Sequence, residues 1–288
     1  MSGPDVLFPV RNNFYLGAFQ RAVNESHGTH KLSDAELVDK DCMVYRAYIA
    51  LGQYQLVVSE IQDAAPTALQ AVKLLARYMS GEKEKALYSL GELLADSAIA
   101  SNLMLRVVAG TIYIHEQDYN EALKHTHVGG NLELCALNVQ IYLKMHRPEY
   151  AEKQLRAMQE IDEDHTLTQL ANAWVNLASG GAKVLEAFYI FQELAEKYAS
   201  TVMLINGSAV CQMHMGQFEE AETRLVEALN RDPKNATTLA NLVVCSLQLG
   251  KPTTRYLSLL KSSYPKHLLV ERSASAEADF ERAVQAFA

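Results

Sequence analysis

The chain has 288 residues, of which 37 are Ala and 38 are Leu, while Gly and Pro together supply only 21. That surplus of strong helix formers over chain punctuators excludes sandwiches, barrels and Gly-rich nucleotide folds, and 49% hydrophobic with 21% charged residues excludes a disordered chain. A net charge of −8 argues against a general nucleic-acid binder, whose affinity rests on neutralising phosphates.

From the N-terminus, Met1 to Val10 offers no basic segment followed by an apolar core, and no run of 18 apolar residues occurs anywhere. Neither a secretory signal nor a membrane-spanning helix is expected, and the chain reads as cytoplasmic. A local pattern then recurs: a turn, often with Gly, an aromatic residue just after it, and a small residue three positions further. Gly17-Ala18-Phe19 leads to Ala22, Gly52-Gln53-Tyr54 to Val57 and Gly81 to Ala86. Tyr119 leads to Ala122, Pro148 to Ala151, Gly180-Gly181 to Ala187 and Gly216-Gln217-Phe218 to Ala221, while Gly250-Lys251-Pro252 puts Arg255 in the same phase. The mean spacing of these anchors is about 33, the tetratricopeptide period of ~34. Ankyrin repeats share the length but need Thr-Pro-Leu-His, which is absent.

The pattern predicts an all-α protein: a right-handed superhelical tetratricopeptide-like solenoid of about eight helix pairs. The expected pairs span 6–27, 38–63, 66–98, 101–128, 131–161, 166–199, 202–230 and 236–262. A capping helix follows over about 270–287, with Phe280, Val284 and Phe287 at helical spacing and expected to cover the last pair. Each pair has one apolar face that only stacking on a neighbour can bury. Length alone favours two domains, but no linker interrupts the phase, so 1–288 reads as one domain. The clearest unit is Val202 to Asn235: Gly216 turns the chain, Ala221 is small where two helices cross, and Pro233 stops the second helix. In the unit from Leu103 the second helix ends early at Gly129-Gly130, which accounts for the short spacing after Ala122.

Chemistry is sparse. Gly250-Lys251 is followed by Pro252 rather than Ser or Thr, so there is no phosphate loop; His115-Glu116 lacks a second His where Tyr119 stands, so there is no zincin motif. Cys42, Cys135, Cys211 and Cys245 are widely spaced and read as small buried hydrophobes. Cys211 with His214, and His125 with His127, read as core and helix-end residues rather than metal ligands. The acidic run Glu160, Asp162, Glu163, Asp164 and the basic stretch with Lys251, Arg255, Lys261, Lys266 and Arg272 read as solvated surface. Trp174 reads as core. No catalytic residue, cofactor or metal is expected.

In such solenoids the first helix of each pair lines the inward face, where extended partners bind. The repeat phase puts Tyr78, Val107, Ile114, Leu143, Asn172, Asn176, Met203, Asn206, Val210 and Met213 on that face, along with Arg46, Val244 and Leu247. The row is largely apolar, and an exposed apolar row of this length marks a protein interface. The three asparagines are expected to hydrogen-bond the partner's backbone. The alternative is a tightly wound solenoid whose inward side chains pack on one another. A co-chaperone adaptor that clamps short peptides transiently is the competing function, but it needs Lys at inward positions held here by Cys42, Val107, Ala136 or Asn206.

Glu163-Asp164-His165-Thr166-Leu167-Thr168-Gln169-Leu170-Ala171-Asn172-Ala173-Trp174 carries a more specific signal, joined by Ala187-Phe188-Tyr189-Ile190-Phe191-Gln192-Glu193. Asn241-Leu242-Val243-Val244, Leu249-Gly250-Lys251-Pro252 and the opening Leu7-Phe8-Pro9-Val10-Arg11-Asn12-Asn13-Phe14-Tyr15-Leu16-Gly17 agree with it. Through these segments the chain resembles the epsilon-subunit family of coatomer, the coat of Golgi-derived vesicles, over nearly its whole length. The resemblance implies a non-catalytic coat component on the cytosolic face of Golgi membranes, held to the membrane only through the coat, serving retrograde Golgi-to-endoplasmic-reticulum and intra-Golgi transport. It implies the C-terminal region of the coat's alpha subunit as the partner that is bound and stabilised, with other coat subunits reached indirectly.

Overall fold

The computed structural model describes residues 5–127 and 130–287, and among them it contains 17 α-helices and no strand. The first ten helices are α1 (Phe8–Tyr15), α2 (Phe19–Ser26), α3 (Asp34–Ala50), α4 (Tyr54–Glu60), α5 (Thr67–Met79), α6 (Lys83–Ala95), α7 (Leu103–His115), α8 (Tyr119–Thr126), α9 (Leu132–Lys144) and α10 (Pro148–Asp162). Then come α11 (Thr166–Ser179), α12 (Lys183–Lys197), α13 (Val202–His214), α14 (Phe218–Arg231), α15 (Ala236–Gln248), α16 (Thr254–Ser263) and α17 (Leu268–Phe287). The described chain divides into two compact units, one ending at Ser179 and one starting at Gly180.

One turn chemistry builds the hairpins. After α3, Gly52 takes φ +78°, and Gln53 N–H donates to Tyr48 C=O. The same six-to-one closure joins Glu82 to Arg77, Asp118 to Tyr113, Arg147 to Tyr142, Gln217 to Gln212 and Lys251 to Ser246. These are Schellman endings, which need a left-handed residue just past the helix. In the turns after α7 and α9 that residue is not Gly but Gln117 (φ 61°) and His146 (φ 56°). The anchors Ala22, Val57, Ala86, Ala122, Ala151 and Ala221 are all buried within hairpins whose two helices pack on each other, and Ala187 is buried on α12, which packs on α13.

Several boundaries differ from expectation for local reasons. The second pair starts at Asp34 rather than 38 because Ser33 and Glu36 form a capping box: Ser33 N–H donates to Glu36 Oε2 at 2.8 Å while Glu36 N–H donates to Ser33 Oγ at 3.4 Å. α4 is only seven residues long, which accounts for the short spacing from Val57 to Ala86. α8 ends at Thr126, while Gly129 lies outside the described residues. After Gly250 the phase slips: Pro252 delays α16 to Thr254, so Arg255 is exposed and Leu260 carries the burial. The expected cap is also corrected. α17 buries only its start, through Val270, and Phe280, Val284 and Phe287 stand in solvent.

In the first unit α3, α5, α7, α9 and α11 pack successively side by side, and α1 packs on both α3 and α11. The unit closes on itself. Buried Thr166 Oγ1 donates to buried Asn12 Oδ1 at 2.5 Å, and Tyr15 packs into the cluster of Cys135, Val139, Leu167 and Val175. In the second unit α12 packs on α13, the hairpins α13–α14 and α15–α16 follow, and α13 lies beside α15.

Candidate protein-binding surface

The inward row has different fates in the two units. In the first, α5 and α7 pack so closely that Tyr78 is 2% and Val107 3% exposed, both inside one cluster with Leu75, Met104, Leu105 and Val108. The Tyr78 hydroxyl donates to the Glu116 carboxylate, and Lys83 Nζ donates to the same carboxylate at 2.9 Å. These two bonds hold Glu116 below its ordinary pKa, while burial, more than the bond to Glu116, pushes the Tyr78 phenol up. Tyr78 and Val107 are therefore corrected: they are core, and the mutual packing alternative describes them. Ile114 and Leu143 are half-buried, Leu143 against the Cys135–Val175 cluster.

Further polar residues hold the closure of this unit. Arg46 of α3 pairs with Glu133 at the start of α9, and its guanidinium lies 4.7 Å from the centre of the Phe14 ring. Asn176 is buried and donates to Asn172 Oδ1 at 3.1 Å. Trp174 is half-buried against the same cluster as Leu143, as a core residue should be. Sequence reasoning placed Arg46 inward but missed Glu133, Asn12 and Thr166. Contacts across 154 positions leave no periodic signal.

In the second unit the row stays accessible. Met203, Val210 and Met213 fall on one face of α13, and Val244 and Leu247 stand 34 residues after the last two on α15. Met203 is exposed, Val244 is 39% and Leu247 62% exposed, and Val210 and Met213 are half-buried. Asn206 is corrected. Its Nδ2 donates to Val202 C=O and to Thr238 Oγ1, both at 2.8 Å, and its Oδ1 accepts from Asn241 Nδ2 at 3.0 Å. It thus ties α13 to α15 beneath the apolar residues, rather than serving a partner's backbone. The tie fixes the spacing between the two helices that display Met203, Val210, Val244 and Leu247.

The cysteines that the sequence singles out are packed into the fold, and His125 is half-buried. All four cysteines are buried thiols, and burial pushes Cys42 and Cys211 up to about 12, which keeps them protonated and unreactive. His125 stacks on Tyr113 and sits 3.1 Å from Glu121, a half-buried pair within one helix. Among the described residues no three His, Cys, Asp or Glu side chains converge to hold a metal, and no helix is long and apolar enough to cross a membrane. What the second unit offers is an apolar face on two neighbouring helices, exposed at Met203, Val244 and Leu247 and suited to burying a protein segment.

Comparison with known proteins agrees with the resemblance read from the sequence. The family model described as coatomer epsilon subunit matches residues 3–288. Coatomer subunit epsilon-1 of Arabidopsis thaliana is 62% identical, with 100% of this chain and 99% of that protein covered. Coatomer subunit epsilon of Dictyostelium discoideum is 36% identical, with 96% and 97% covered. Among solved structures, a tetratricopeptide repeat protein from Parabacteroides merdae superposes with a TM-score of 0.61 at 14% identity, covering 88% of this chain and 96% of that one. The APC/C hetero-tetramer Cut9–Hcn1 gives 0.63 at 12% identity, covering 93% and 54%. At those identities the two structures speak for the tetratricopeptide-type fold alone.

Proposed function

The chain belongs to the coatomer epsilon-subunit family and is a non-catalytic coat component, and from that premise we propose that it binds and stabilises the C-terminal region of the coat's alpha subunit. The observation that carries this reading is the exposed apolar face of α13 and α15, formed by Met203, Val244 and Leu247 over half-buried Val210 and Met213. Such a face is costly in water and suits a permanent partner. Met203 and Met213 adapt to an irregular surface. Ile114, Leu143 and Asn172 are half-buried positions of the row in the first unit and form a candidate contact of that unit by itself.

The recurrence of the hairpin pattern from Ala22 to Ala221, with a slip only after Gly250, supports reading 1–288 as one domain. Recruitment to Golgi membranes is indirect, through the coat, and the transport served is retrograde Golgi-to-endoplasmic-reticulum and intra-Golgi. The test is titration of the purified chain with a separately expressed C-terminal region of the alpha subunit, followed by calorimetry and size-exclusion chromatography. A stable one-to-one complex is expected. No complex with that region, alongside binding to free peptide C-termini, would replace the reading with the peptide-clamping adaptor.

A further inference from the structure

The last helix carries a second surface, distinct from the α13–α15 face. Leu269, Ser273, Ala276, Phe280, Val284 and Phe287 recur at intervals of three and four, so they form one stripe along α17. At its start the stripe is occupied: Leu269 packs on the cluster of Leu239, Leu260 and Val270. Beyond Ser273 every residue through Phe287 is exposed, with Phe280 at 70% and Phe287 at 94%. One apolar line therefore begins inside a packed interface and continues into solvent. A helical segment of this length is marginal in water without tertiary support.

The rim of the stripe says what it fits. Glu277 and Glu281 lie one turn apart beside Phe280 and Val284, and neither has an ion-pair partner among the described residues. Like charges at that spacing destabilise an isolated helix. On the other rim, Asp279 is paired with Arg282. Arg272 lies on the rim at the occupied start of the stripe; along the solvent-exposed part, 274–287, the uncompensated charge is acidic, so its complement is apolar and basic. An anionic membrane surface would repel that rim.

We propose that the Phe280–Val284–Phe287 stripe is a docking surface for an amphipathic helix of another protein that carries Lys or Arg beside its apolar residues. The apolar residues pack in the manner of two antiparallel or parallel helices, and the basic residues reach Glu277 and Glu281.

The experiment uses the full chain and two synthetic three-heptad helices, both with Leu at a and d, one with Lys and the other with Glu at e and g. Binding is read by fluorescence anisotropy. The Lys-rimmed helix should bind at least about tenfold more tightly than the Glu-rimmed one. The double variant F280S/F287S should lose that binding by at least about tenfold, and E277K/E281K should reverse the preference between the two helices. These positions are exposed, so circular dichroism of the variants should keep the rest of the helical signal. Equal binding of both helices, or binding indifferent to F280S/F287S, overturns the proposal. Two further outcomes also overturn it. Self-association of the wild-type chain that F280S/F287S abolishes would assign the stripe to a second copy. Co-sedimentation with phosphatidylcholine–phosphatidylserine vesicles that the same variant abolishes would assign it to a membrane.

Discussion

Asn12 and Thr166 stand 154 positions apart, yet they share a buried hydrogen bond of 2.5 Å that joins the first helix of the first unit to its last. A repeat protein in which each unit touched only its neighbours would have no such bond. Beside it, Arg46 bridges α3 to Glu133 of α9. Together these contacts close the first unit, in which Tyr78 and Val107 are buried while Ile114 and Leu143 stay half-buried.

Thr166→Val should strand the buried Asn12 carbonyl and cost about 1–3 kcal/mol. Asn12→Leu should cost a similar amount, and the double variant N12L/T166V should cost clearly less than the two together, because both remove one bond. Urea unfolding of the four proteins checks this. Additive losses would mean that the bond does not couple α1 to α11.

Gln117 and His146 occupy left-handed backbone that the other hairpins give to Gly. A side chain there costs about 1–2 kcal/mol. Gln117→Gly and His146→Gly should therefore each stabilise the chain by up to about 1 kcal/mol after the added freedom of the unfolded state is counted. A lowered melting temperature for both would show that their side chains hold the turns by other means.

Two helical glycines should respond with opposite sign to Ala. A Cβ on Gly207 of α13 would meet the buried Phe191 ring at 2.8 Å, whereas one on Gly91 of α6 meets nothing within 4 Å. Gly207→Ala should destabilise, since overpacking costs about 1–3 kcal/mol against a propensity gain of about 1 kcal/mol. Gly91→Ala should stabilise by about 0.5–1 kcal/mol. Melting temperatures moving in the same direction would contradict the packing described.

His165 caps α11 through Nδ1, which accepts from Leu167 N–H at 3.1 Å. Burial, aided by Arg11, holds its pKa below the ordinary 6.5, against the opposing pull of Asp162 and Asp5. A depressed folded pKa means that the unfolded chain binds the proton more readily. The stabilisation is complete above about 6.5 and is lost as pH falls toward the folded value. His165→Asn keeps a capping oxygen and removes the titration, so its melting temperature should fall less between pH 7.5 and 5 than that of the wild type. Parallel curves would remove His165 from the acid response.

The hairpin pattern was legible because its causes are local. A left-handed turn residue, an aromatic after it and a small anchor leave a period in the sequence, and Ala22 to Ala221 are buried where that period says. The failures are equally physical. Pro252 delayed α16 by two residues, about half a turn, so Arg255 lost its phase. The amphipathic stripe of α17 states that Phe280 wants burial but not what buries it. Inward phase placed Tyr78, Val107 and Asn206 in a partner-binding groove, because spacing alone cannot tell a side chain that lines a groove from one that fills it. Closure of the first unit depends on Asn12, Thr166, Arg46 and Glu133 meeting across the chain, and no window of sequence contains them together.

The central claim is that the α13–α15 face holds the alpha subunit. Val107, being core, is unsuited to testing it, because a charge there would unfold the first unit. Val244 and Leu247 are exposed, so Val244→Asp with Leu247→Asp should leave the melting temperature nearly unchanged. Calorimetric titration of this double variant with the alpha subunit's C-terminal region should show binding weakened by about 3 kcal/mol or more, since two carboxylates would be buried without partners. Wild-type affinity in a variant of unchanged stability would contradict the account and move the partner to another face of the chain.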